Sequence, residues 1–179
     1  MDLEMTGLNA AKDAIVQAAV IITTHDLEVR EELALDIWQP PDRLESMTPF
    51  VREMHTRTGL LDRVRQSSVD LAQAERRLLE VVAGWCPLGA VLCGNSIGQD
   101  RRFIDRWMPG LAAYLTYRMV DVTSVKLLAR AWYGERASFA KPTEGEHDAL
   151  VDIRNSIDEL RHYRKVIFQK SPAAARDAV

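Results

Sequence analysis

The chain opens with Met1-Asp2-Leu3-Glu4-Met5-Thr6-Gly7-Leu8, and the reading of this stretch decides the fold. Met1–Met5 suits a short strand that ends at the turn-forming Thr6-Gly7. Side chains at i and i+2 of a strand share a face, so Asp2 and Glu4 point the same way. Two carboxylates side by side on a strand form half of a cation site. The next apolar run, Ile15-Val16-Gln17-Ala18-Ala19-Val20-Ile21-Ile22, is rich in β-branched residues and suits a buried strand.

Three further residues complete the set. Asp100 lies in Gly94-Asn95-Ser96-Ile97-Gly98-Gln99-Asp100-Arg101-Arg102-Phe103, and His147 and Asp152 lie in His147-Asp148-Ala149-Leu150-Val151-Asp152. Hard divalent cations take oxygen ligands. Two such ions roughly 3.5–4 Å apart stabilise the attacking and leaving oxygens of a phosphodiester cleavage. A histidine, which changes charge near neutral pH, can take the proton from the attacking water. An Asp-x-Glu tripeptide alone carries little information, and a lone aspartate in a first helical turn is more often a cap or a solvated position. The weight comes from all five occurring in order, each within a distinctive local string.

Composition bounds the rest. With 179 residues and no low-complexity break, the chain reads as one domain over 1–170, with a small, charged, frayed tail at 171–179. The apolar fraction of 47% and charged fraction of 27% are ordinary for a soluble globular protein. A net charge of −3 argues against sequence-independent duplex DNA binding, which requires many Lys and Arg on phosphates. Cys86 and Cys93 lack Cys-x-x-Cys spacing and read as reduced thiols. No stretch reaches a membrane span and no signal peptide opens the chain, so a cytoplasmic location without membrane attachment is expected.

Along the chain, Leu33–Trp38 suits a third strand, and Pro40-Pro41 ends it in an irregular connection. Leu71, Leu78 and Val82 mark a helix ending near Gly84. Ala90–Cys93 is a fourth strand leading to Gly94-Asn95-Ser96, a turn that caps the next helix. Asp100 then falls in that helix's first turns. Tyr117–Val122 is a fifth strand, Val122–Trp132 a helix, and Thr143-Glu144-Gly145 a loop. His147 begins the last helix, whose buried face is Leu150, Ile153, Ile157 and Leu160. The fold class is α/β, a mixed sheet flanked by helices, with the site at the ends of central strands.

The strings Asp2–Leu8, Gly94–Phe103, Tyr117-Arg118-x-x-Asp121-Val122 and His147–Asp152 together resemble oligoribonuclease, the histidine-bearing branch of the Asp-Glu-Asp-Asp exonucleases. The resemblance runs from residue 2 to about 168, and its first two strings are specific to that family. It implies an RNase H-like mixed five-stranded sheet, a homodimer, and 3′→5′ hydrolysis of very short RNAs to nucleoside 5′-monophosphates. It makes Asp2, Glu4, Asp100 and Asp152 the ligands of two Mg²⁺ or Mn²⁺ ions and His147 the general base. Leu8 and Phe50 would wedge and stack the bases, and Ser96, Gln99 and His55 would line the pocket for the 5′ end. Tyr117, Arg118, Thr123 and Lys126 would reach across from the partner, Arg118 towards the 5′ phosphate. A planar guanidinium matches a terminal phosphate, and an aromatic face stacks any base.

The chain departs from the family at three places. Only Met1 precedes Asp2, which brings the α-ammonium beside an expected cation ligand. Phe50 stands where tryptophan is usual, and Gln17 where glutamate is usual. Some positions also carry a plainer reading: Phe50 as core, His55 as an ordinary polar position, Arg101-Arg102 as a solvated helix face. Trp38, Trp85, Trp107 and Trp132 read as core or dimer interface. Two other functions remain open, a proofreading-type exonuclease acting on single-stranded DNA and a catalytically weakened dinucleotide-binding protein. Rates on a dinucleotide and on a 20-mer separate the short-RNA exonuclease from the proofreading type.

Overall fold

A computed structural model of the chain describes residues 1–142 and 147–168. The loop expected at Thr143-Glu144-Gly145 and the tail 171–179 lie outside the described residues. Five strands form, but in two hydrogen-bonded sheets rather than one five-stranded sheet, and the third strand lies at Val29–Asp36 rather than Leu33–Trp38. β1 (Asp2–Met5), β2 (Ile15–Thr23) and β3 (Val29–Asp36) make an antiparallel sheet in the order β1-β2-β3. β4 (Ala90–Gly94) and β5 (Leu115–Asp121) pair in parallel. The two ladders meet where the Met1 α-ammonium donates to the Cys93 carbonyl at 2.8 Å. Gly94 is required at that junction, because a Cβ there would stand 2.7 Å from the Met1 carbonyl oxygen and 2.8 Å from Ile97 Cδ1.

β2 is buried on both faces over Ile15–Ile21, which explains its near-continuous apolar run. Helices cover the two faces. α4 (Leu71–Trp85) starts at a reciprocal cap between Asp70 and Gln73, and buries Ala74, Leu78 and Val82 as its period predicts. α5 (Gly98–Trp107) buries Phe103 and Ile104 beside Asp100. Together with Leu3, Ile15, Leu92 and Met108 these residues form the main core. α7 (Val122–Tyr133) follows β5 directly, and α8 (Ala149–Val166) packs against β2 through Ala149 and Ile153.

Several expectations change. The segment after Pro40-Pro41 is not irregular but forms three short helices, α1 (Pro41–Glu45), α2 (Pro49–Arg57) and α3 (Leu60–Gln66). Pro41 and Pro49 sit in the first turns, where a missing N–H costs nothing. A fourth short helix, α6 (Pro109–Tyr114), begins the same way. Ser96 does not cap α5; Ile97 holds the cap position without a side-chain bond. Arg101 is no solvated position, because it donates to the Ala112 and Thr116 carbonyls and pairs with Asp105 at 2.8 Å. It thereby fastens α5 to α6 and β5. Of the four tryptophans only Trp107 packs on the core, whereas Trp38, Trp85 and Trp132 are exposed.

Phe103 is fully buried one turn beyond Asp100. Phe103→Ala should cost about 3–5 kcal/mol of unfolding free energy, the usual range for an emptied aromatic site. Denaturant titration of both proteins checks this, and an unchanged midpoint would show that α5 is held by its polar ties instead.

Candidate active site

The β1 geometry gathers the acidic residues as the strand period requires. Leu3 enters the core while Asp2 and Glu4 face the other way. A bulge between Glu4 and Met5 opens the pairing with β2 just past the second carboxylate. Asp100, in the first turn of α5, is buried, and its Oδ1 accepts from the Leu3 N–H at 2.9 Å. That bond ties the α5 carboxylate directly to the strand carrying the other two. Asp152 lies in the first turn of α8, and its Oδ2 accepts from the His147 N–H at 2.9 Å. Its Oδ1 holds the Lys141 ammonium at 2.7 Å. Glu4, His147 and Asp152 each present one ligand atom, all within 4.8 Å of one another.

The electrostatics follow from crowding. Burial, then the charges of Asp100, Glu4 and Asp152, push the Asp2 carboxyl well above the usual carboxylate range. Burial, with Asp152 and Asp100, pushes Glu4 to about 8. Burial raises Asp100 to about 6, opposed by the Met1 ammonium and by the Leu3 N–H. The Met1 ammonium itself bonds to the Cys93 carbonyl rather than closing on Asp2. An all-carboxylate donor set this dense, with one imidazole, fits hard divalent cations and little else.

Around this centre the remaining expected residues separate into groups. Leu8 and Phe50 are 74% and 75% exposed, so Phe50 is not core and both stand free to meet a ligand. Gln99 donates to the Leu8 carbonyl at 2.6 Å and fixes the Leu8 loop against α5. Tyr117 is 80% exposed on β5, with the Arg118 guanidinium over its ring at 4.7 Å.

Three of the expected residues make contacts within their own chain. His55 does not line an open pocket: it is fully buried, its Nε2 is 2.9 Å from the Met5 carbonyl oxygen, and its Nδ1 is 3.9 Å from Glu4. It therefore stands behind the Glu4 carboxylate. Thr123 accepts from the Ser96 N–H and donates to Asn95, so its hydroxyl is used within its own chain. Lys126 pairs at 2.9 Å with Glu159, a carboxylate that is 1% exposed.

Sequence reading missed Lys141, Glu159, Arg63 and Asp148. Lys141 and Glu159 carried no local signal, because their partners lie on elements whose packing no single string encodes. Asp148 could have been found, since an aspartate immediately before an apolar-periodic run is an N-cap signal, and its Oδ1 does cap Leu150 and Val151.

The raised carboxyls give a signed expectation. Ionising Glu4 is harder in the fold than in the unfolded chain. Stability from this group is therefore greatest below its ordinary value of 4.5 and declines as pH rises towards about 8. In chelator, Glu4→Gln should raise the Tm above that of the parent, with a gap that widens over this pH range. A Tm gap independent of pH would contradict the crowding described here.

Comparison with known proteins identifies the fold and the family. The family model described as Exonuclease (RNase T) matches residues 1–160. Solved exonuclease I structures share the fold: one, from Methylocaldum szegediense, gives a TM-score of 0.72 at 19% identity over 91% of this chain and 39% of that chain. Another exonuclease I gives 0.71 at 18% identity over 93% of this chain, which spans 40% of it. Oligoribonuclease from Streptomyces griseus is 48% identical over 96% of this chain and 87% of its own length. That from Halorhodospira halophila is 46% identical over 97% and 94%. A human relative described as mitochondrial oligoribonuclease is 43% identical over 95% and 73%. With a family model over residues 1–160 and relatives of 43–48% identity spanning nearly the whole chain, the chain belongs to the oligoribonuclease family of exonucleases.

Proposed function

We propose that the chain is a metal-dependent 3′→5′ exoribonuclease that hydrolyses very short RNAs to nucleoside 5′-monophosphates. The observation that carries this reading is the meeting of Glu4, His147 and Asp152 within 4.8 Å, beside buried Asp100. Exonucleases of this family generally use divalent metal ions. In this reading Asp2, Glu4, Asp100 and Asp152 hold two, Mg²⁺ or Mn²⁺. When bound, the ions supply charge stabilisation at the attacking and leaving oxygens.

The chain's own residues do the rest. His147 receives the proton of the attacking water, and its main chain is fixed by Asp152. Exposed Leu8 and Phe50 wedge and stack the bases without reading their identity. Ser96, Gln99 and Arg118 act on the 5′ end, Arg118 as a bidentate phosphate donor. A second copy of the chain supports this arrangement. β5 is an edge strand exposing Tyr117, Met119 and Val120, and α7 exposes Leu127, Leu128 and Trp132. An open edge with so much apolar surface calls for cover, and a homodimer provides it. Tyr117 and Arg118 of each copy then serve the partner's site. No helix among the described residues is long and apolar enough to cross a membrane.

Incubation of 5′-phosphorylated dinucleotides and a 20-mer with Mn²⁺, with products resolved, tests the reading. Rapid release of 5′-monophosphates from the dinucleotide is expected. Preference for the 20-mer, or for single-stranded DNA, would favour the proofreading-type alternative. Tight binding without cleavage would favour a dinucleotide-binding protein. His147→Ala should lower turnover by roughly 10²–10⁴-fold while substrate still binds, and Asp100→Ala should abolish metal-dependent hydrolysis. Arg118→Ala should weaken phosphorylated dinucleotides far more than unphosphorylated ones. Mixing Arg118→Ala chains with Asp100→Ala chains should recover activity, because one site of the mixed dimer regains both parts. No recovery after verified subunit exchange would place Arg118 in its own chain's site.

A further inference from the structure

His147 stands at a φ of +68°, a left-handed conformation that a side chain other than glycine rarely adopts. Such a position persists only where its surroundings hold it. On the C-terminal side the hold is unusually complete. Asp148, the next residue, caps α8 through Oδ1, which accepts from Leu150 and Val151. Its Oδ2 faces the other way and accepts from Arg63 Nη2 at 3.2 Å, with Gln17 Nε2 at 3.5 Å.

Arg63 and Gln17 are themselves fixed. Arg63 Nε donates to Asp36 Oδ2 at 3.0 Å, and its Nη1 donates to the Thr58 carbonyl at 3.0 Å. Gln17 Nε2 donates to Asp36 Oδ1 at 2.8 Å, while its Oε1 accepts from the Ala149 N–H at 2.8 Å. The cluster therefore joins β2, the end of β3, α3 and the start of α8. Its charges are one guanidinium against the two carboxylates of Asp36 and Asp148. The cluster adjoins the residues assigned to the cations through the main chain: Gln17 pairs across the strands with Glu4, and the Asp152 N–H donates to the Asp148 carbonyl at 2.9 Å.

We propose that Arg63, through Asp148 and with Gln17, is a positioning residue that sets the His147 segment for proton transfer. The proposal rests on the reading of His147 as general base. The amide at position 17 is part of the device. It donates to Asp36 and accepts from Ala149 at once, which a carboxylate cannot do. A glutamate there would set three carboxylates around one guanidinium.

The test is a double-mutant cycle on a 5′-phosphorylated dinucleotide at saturating Mn²⁺. Arg63 is more than a third exposed in its side chain, so Arg63→Ala should fold, which thermal melting verifies. It should lower kcat roughly 10- to 100-fold with KM nearly unchanged, as expected for a displaced catalytic group. In the His147→Ala background the same substitution should change kcat little. Arg63→Lys should recover part of the loss, because an ammonium keeps the charge but cannot bridge both aspartates. Gln17→Glu should reproduce the kcat defect.

An equal Arg63→Ala loss in both backgrounds would overturn the proposal while leaving His147 as the base. A His147→Ala protein as fast as the parent would remove the base assignment, and the positioning role with it. A loss in KM alone would assign Arg63 to substrate binding.

Discussion

Like charges crowded into a half-buried cleft are the constraint around which this structure is arranged. Asp2 and Glu4 lie near Asp100 and Asp152, and burial together with those neighbouring charges raises the cost of ionising both. The chain offsets this unevenly. Asp100 takes a main-chain N–H from Leu3, and Asp152 takes one from His147 together with the Lys141 ammonium. Asp2 and Glu4, on the strand between them, bear the largest upward shifts. Under the proposed reading, the two strand carboxylates would gain most from a bound cation, while main-chain N–H groups already hold the two helical ones in place.

Glu159 makes an instructive contrast. It is as deeply buried as any acid among the described residues, but it is surrounded by donors: Lys126, Asn95 and Tyr163. Asn95 in turn bonds Ser156 and Thr123, and Ser156 bonds the Asp152 carbonyl. This buried acid is fully satisfied and holds three elements together, whereas Asp2 and Glu4 lie among like charges that push their carboxyls upward.

Legibility in the sequence followed the same division. The strand period placed Asp2 and Glu4 on one face, and the string around Asp100 placed it in the first turn of a helix, because both facts are local. The apolar runs marked β2, β4, β5 and α4 for the same reason. Pro40-Pro41 reads as a break, although Pro41 stands where α1 begins; α2 and α6, which also begin at a proline, Pro49 and Pro109, carry no apolar period long enough to mark them. Arg101, His55 and Gln17 were out of reach for another reason. Their roles depend on partners that lie 11 to 132 residues away in sequence. Only the folded chain brings such pairs together. Likewise Phe50 and His55, five residues apart in one helix, had equal claims in the sequence, and the structure exposes one and buries the other.

The junction at Gly94 carries a consequence for how this chain can vary. Most packed positions negotiate: a larger side chain at one is absorbed by a smaller one opposite, and a lineage drifts through compensated pairs. Here the opposing surface is the carbonyl oxygen of Met1, which no substitution can shrink. The two halves of the sheet meet main chain to main chain, so there is nothing to trade. Position 94 is closed to every residue but glycine, and its neighbours inherit that rigidity as a fixed point from which the spacing of the whole acidic cluster is measured.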